Sequence, residues 1–241
     1  MVPDAKPAAA AAFSPPPGAA KKAGKAEAEF KRLAGAEEKL GFDELQALCG
    51  ELGISIESDP AILVVLNAMG VKSLGDGVAR EQFVQGMVNL DCDSVAALKG
   101  KLGALRDRLK SDAFFAPFWS WAYVMNCAEG QKSLTLDVAK GLTKLLLTRE
   151  RFPLVAEWCA FLEHCYALEQ ADKKDKKAIS KDTWALLLDF GRRVRPDLSG
   201  YDAEGGAWPS VIDDFCEWLV KARASGRAVG SGGGGGGADA K

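Results

Sequence analysis

Residues 179–219 read ISKDTWALLLDFGRRVRPDLSGYDAEGGAWPSVIDDFCEWL, and this stretch decides the fold class. Ser180 is a good helix N-cap, and Asp182 then falls in the first turn, where a carboxylate suits the helix dipole. Trp184, Leu187 and Leu188 give one apolar face, and Gly191 reads as the C-terminal stop. After a polar loop, Pro209 fits a first helical turn. Trp208, Val211, Ile212, Phe215, Trp218 and Leu219 follow at helical spacing, with Asp213 and Asp214 on the other side of that helix.

The same periodicity extends through the chain. Helices are expected at 30–36, at Phe42–Leu52, after an Asp59–Pro60 start, at 80–90 and from Ser94 to about 110. The aromatic run FFAPFWSWAYVM then predicts a helix buried on more than one side. Further helices follow at 136–147, 154–168, 181–190 and 208–220. Alternating runs between tight turns are not seen, so the expectation is all-α, with about nine or ten helices and a break between halves near 110–114.

Both ends are of low complexity. Residues 1–29 are dominated by Ala, Pro and Lys, and the tail 222–241 carries a glycine run, so both are expected to lie outside the folded domain 30–221. A formal charge of -2 offers no basic stripe for nucleic acid. No run of about 18 apolar residues is present to span a membrane. No secretory h-region is seen at the N-terminus, so six reduced thiols in the cytoplasm, the nucleus or both are expected.

Within this sequence, KDTW, DLSGYD, AWP and IDDF occur in one order, preceded by GQKSL at 130–134 and RFPLVAEW at 151–158. Together these words resemble the potentiating-neddylation domain of the defective-in-cullin-neddylation (Dcn-like) family, over roughly residues 30–219. The resemblance implies EF-hand-like helix pairs in the first half and a helical second half. It implies a scaffold-type co-ligase for cullin neddylation, without active-site chemistry or cofactor of its own. The partners it implies are a cullin C-terminal winged-helix domain, an N-acetylated neddylation conjugating enzyme and the ring-box subunit of cullin ligases.

The family's cullin patch maps onto Asp182, Ala207 and Asp213, where carboxylates accept charge-assisted hydrogen bonds and a small residue admits the partner's backbone. One departure lies beside it: the family pattern EGAWP is here EGGAWP, with Gly205 and Gly206. The pocket for the acetylated methionine maps onto Phe42, Leu45, Val65, Ala68, Val78, Met125, Leu142 and Leu145. All are apolar, which suits an N-terminus whose charge acetylation has removed. A pure cullin-binding adaptor or inhibitor, lacking recruitment of the conjugating enzyme, is the alternative.

Other candidates give way to structural readings. The loop GVKSLGDGVARE at 70–81 offers Asp76 and Glu81 but has too few oxygen ligands for calcium. Cys159, His164 and Cys165 lack zinc-ligand spacing and a group to orient the imidazole, so neither a metal nor a catalytic residue is expected. The lysine run at 173–177 reads as a solvated linker, with weak nuclear-import activity the alternative there and at 21–25.

Overall fold

The computed structural model describes residues 18–128, 130–171, 178–202, 205 and 208–226. Ten α-helices and four short strands lie within them, as the all-α expectation requires. They form two compact units that divide between Leu134 and Thr135. The division falls after the aromatic helix, not near 110–114, because that helix packs into the first unit.

The first unit holds α1 (Ala19–Ala34), β1 (Lys39–Leu40), α2 (Phe42–Leu52), α3 (Ala61–Ala68), β2 (Val78–Ala79), α4 (Arg80–Asn89), α5 (Val95–Arg108) and α6 (Asp112–Asn126). Two helix–strand–helix units face each other through an antiparallel pairing of Lys39 with Ala79 and Leu40 with Val78. Each second helix starts in the same way. Glu44 Oε2 accepts from the Gly41 N–H at 2.8 Å, and Gln82 Oε1 accepts from the Ala79 N–H at 3.0 Å. Both therefore satisfy a donor that a helix start leaves unpaired. The close pairing needs a glycine: Gly77 has φ 68, and a Cβ there would sit 2.8 Å from the Leu40 carbonyl. These paired units are the EF-hand-like helix pairs expected of the first half.

Helix α1 begins at Ala19, well upstream of residue 30. Alanine is the best helix former, so an Ala-rich segment becomes a helix once a neighbour covers one face. Ala26, Phe30 and Ala34 form that face and are buried; Phe30 packs on Phe83 of α4, with ring centroids 5.8 Å apart. The charged side is paired. Lys22 bonds Asp91, Lys25 reaches Asp93 at 2.8 Å, Arg80 reaches Glu27 at 3.0 Å and Arg32 reaches Glu51 at 2.8 Å. Two of the lysines of 21–25 thus lie in ion pairs.

The second unit holds α7 (Leu136–Leu146), α8 (Val155–Ala171), β4 (Ala178–Ser180), α9 (Lys181–Arg193) and α10 (Ser210–Ala224), with β3 (Ser133–Thr135) at the division. Its core is aromatic. Trp158, Trp184, Phe152, Phe190 and Phe215 are among the largest fully buried side chains. Phe190 stands edge-on to Phe152, Trp208 and Phe215, at centroid distances of 6.0, 5.4 and 6.1 Å. Edge-to-face packing of this kind fixes how helices cross.

Gly191 is not a helix stop. The helix runs on to Arg193, and Gly191 is buried inside it. A Cβ there would lie 3.0 Å from Phe152 Cδ2 and 3.1 Å from the Arg151 carbonyl, so the glycine permits close packing. Pro209 likewise sits one position earlier than expected, at the N-cap of α10, with ψ 145.

Candidate functional site

Helix α9 starts as its sequence dictates. Ser180 Oγ accepts from the Thr183 N–H at 3.1 Å, and the two hydroxyls lie 2.9 Å apart. Asp182 stands in the first turn, exposed, and among the described residues its carboxylate has no hydrogen-bond or ionic side-chain partner. It is therefore an open acceptor placed where the helix dipole favours negative charge.

Helix α10 supplies the second carboxylate. The Pro209 carbonyl accepts from the Ile212 N–H at 2.8 Å and the Asp213 N–H at 3.3 Å, which sets Asp213 in the first turn. The side chain of Asp213 is not simply solvated. It is half-buried, and its Oδ1 accepts from the Tyr201 hydroxyl at 2.7 Å. Asp214, beside it, is exposed.

The loop that carries Tyr201 is stitched to itself. The Arg195 N–H donates to the Ser199 carbonyl at 3.0 Å, the Leu198 N–H to Arg195 at 2.9 Å and the Tyr201 N–H to Leu198 at 3.1 Å. Gly200 has φ 91, and a Cβ there would meet the Arg193 carbonyl at 2.5 Å, so only glycine turns the chain this tightly against α9. The Tyr201 ring then lies edge-on to Phe190, 6.4 Å between centroids. Phe190 thus joins α9, the loop and α10, and with them the supports of both carboxylates. Burial first, and then the bond to Asp213, push the Tyr201 hydroxyl above the usual phenol range. Burial, helped by the Asp213 charge, pushes the Cys216 thiol up to about 12.

Ala207 and Gly206 lie outside the described residues, and so does the run 173–177. Gly205 is described: its N–H donates to Asp202 Oδ1 at 3.1 Å. Tyr201 does not stand out in the sequence as a site residue. The signal was present, since a tyrosine after a glycine turn precedes the acidic helix start, but its partner lies 12 positions away.

The eight pocket candidates fall in both units. Leu45, Val65, Ala68, Val78 and Met125 are all buried in the core of the first unit, at 5% exposure or less. Phe42 is set apart from them, 71% exposed at the start of α2. On α7, in the second unit, Leu142 is buried and Leu145 half-buried. Helix α3 also carries a buried amide, Asn67, 2% exposed, whose Oδ1 is without a hydrogen-bond partner. The carbonyls near the end of α3 are covered: Asn89 Nδ2 donates to Ala68 at 2.9 Å and Gln82 Nε2 to Gly70 at 3.2 Å.

In the loop 70–81, Glu81 Oε1 accepts from Arg80 Nη2 at 3.0 Å. Among the described residues, no group of three or more His, Cys, Asp or Glu side chains could hold a metal, and no helix is long and apolar enough to cross a membrane. His164 is exposed and stacks on Trp218, 6.0 Å between centroids. Cys49, Cys92, Cys165 and Cys216 are buried, while Cys127 and Cys159 are half-buried. Burial pushes the Cys159 thiol up to about 11, away from nucleophilic use.

Residues 97–218, which include the acidic starts of α9 and α10, match the family described as cullin binding. Among curated relatives, DCN1-like protein 4 of Drosophila melanogaster is 34% identical over 187 residues, covering 78% of this chain and 70% of that protein. DCN1-like protein 5 of Bos taurus is 32% identical over 196 residues, covering 81% and 78% respectively. DCN1-like protein 5 of Homo sapiens is 32% identical over 189 residues, covering 78% and 74%. The chain belongs to the DCN1-like family.

Proposed function

We propose that this protein is a non-catalytic co-ligase for cullin neddylation. It holds a cullin winged-helix domain through Asp182 and Asp213, with Ala207 between them in sequence, and recruits the N-acetylated conjugating enzyme. Rate gain then comes from bringing a thioester and a cullin lysine together, not from chemistry by its own side chains. The observation that carries this reading is the pair of first-turn carboxylates on α9 and α10; both lie within the cullin-binding match, and their helices pack through Phe190 and Phe215. Carboxylates at helix starts suit arginine and lysine of a partner.

The test is calorimetric titration of the purified chain with a recombinant cullin winged-helix domain. Asp182→Ala with Asp213→Ala should weaken binding at least tenfold while the protein stays folded. Unchanged binding by the double variant would place the interface elsewhere. In neddylation assays, Cys127→Ala/Cys159→Ala should keep full co-ligase activity; loss of turnover by a folded variant would contradict a non-catalytic role.

A second reading, a cullin adaptor or inhibitor without conjugating-enzyme recruitment, draws support from one observation. Five of the pocket candidates are closely packed core residues. Titration with an N-acetylated conjugating-enzyme peptide separates the two: binding supports the co-ligase, and cullin binding without peptide binding supports the adaptor.

A further inference from the structure

We infer that Tyr201 is a positioning residue of the cullin-binding patch, its hydroxyl holding one oxygen of Asp213 and leaving the other for a cation of the partner. This rests on the cullin-binding reading above. Three observations carry it. The Tyr201 hydroxyl donates to Asp213 Oδ1 at 2.7 Å, a short bond typical of a hydroxyl donating to a carboxylate. The tyrosine cannot drift, because its ring is edge-on to Phe190 and its backbone N–H is bonded to Leu198. Asp182 has no such support and stays an exposed acceptor, so the two carboxylates are built differently: one free to reorient, the other fixed before the partner arrives.

A carboxylate held in place loses no rotational freedom on binding, and pre-organisation of this kind raises affinity without adding a contact. Released from Tyr201, Asp213 would turn among rotamers and meet water. The gain from Tyr201 thus passes through Asp213 and through no other group of the patch.

The experiment is a set of calorimetric titrations of the full chain against a recombinant cullin winged-helix domain, with melting curves for each variant. Tyr201→Phe keeps the ring against Phe190 and removes only the hydroxyl. We expect it to bind about tenfold more weakly with its melting temperature within a few degrees of the parent. On an Asp213→Ala background, Tyr201→Phe should cost nothing more; on an Asp182→Ala background it should cost its full factor, since neighbours in one network are non-additive and independent sites add. Parent-like binding by Tyr201→Phe, or an equal loss on both backgrounds, would overturn the positioning role while leaving the patch intact if Asp213→Ala still weakens binding. No cullin binding by the parent chain would remove the positioning role together with the function it rests on.

Discussion

At the scale of single residues, several side chains serve two elements at once. Asp59 is one. Its Oδ1 accepts from the Ala61 N–H at 3.0 Å at the start of α3, and its carboxylate also bonds Arg106 of α5. The bond to Arg106 is the main reason the Asp59 carboxyl is held below the usual carboxylate range. A depressed folded value contributes stability that is present above the unfolded value of about 3.9 and is lost as pH falls through the folded one. Asp59→Asn should therefore cost about 1 kcal/mol near neutrality, a figure kept small because Arg106 is half-exposed. The gap between the two proteins should close in urea melts below about pH 4. A gap independent of pH would mean that the cap, not the charge, sets the cost. A helix start at Asp59–Pro60 was legible in sequence, although Pro60 rather than Asp59 takes the N-cap and Asp59 bonds the Ala61 N–H from one position earlier; Arg106 was not legible, because it lies 47 positions from Asp59.

Glycines make the same point more sharply. At Gly86 a Cβ would lie 2.8 Å from Met69 Cα, and at Gly191 it would press on Phe152 and the Arg151 carbonyl. Gly86→Ala and Gly191→Ala should each destabilise by about 1–3 kcal/mol through overpacking, seen as a fall in melting temperature. Gly100, inside α5 with open space around it, is the control: Gly100→Ala should stabilise by about 0.5–1 kcal/mol. If all three behave alike, close approach is not what these glycines provide. A glycine near a helix end reads as a stop in sequence, and only the neighbouring element shows that Gly191 is instead a contact surface.

At the scale of elements, helix starts were the most legible feature. Ser94 caps α5, its Oγ accepting from the Ala97 N–H at 3.3 Å, and Ser180 caps α9. Ser180→Ala should cost about 1 kcal/mol and fray the first turn of α9, where Asp182 sits. Hydrogen exchange of the Thr183 amide would show it; unchanged protection there would mean that packing of Trp184 alone fixes the turn. The least legible element was α1. Its buried stripe is only Ala26, Phe30 and Ala34, too sparse to stand out in an Ala- and Lys-rich segment. It becomes a helix because α4 offers a surface, and Phe30→Ala should lose about 3 kcal/mol by emptying that contact with Phe83.

For the whole molecule, the proposed function makes cullin binding an electrostatic contact between an acidic patch and cations. Affinity should therefore fall as salt rises from about 0.05 to 0.5 M, and the dependence should be shallower for Asp182→Ala/Asp213→Ala. Salt-independent binding in a titration series would point to an apolar interface instead.

The sequence by itself determined the helical class, most helix starts and the two aspartates at first turns, because these depend on spacing and caps within a few residues. It could not determine which helix starts have neighbours that hold a carboxylate still. The Tyr201–Asp213 bond, the Phe190 junction, the close approach at Gly191 and the seating of α1 on α4 all join residues distant in the chain. Such pairs are set by where packing carries each element, and only the tertiary structure decides that.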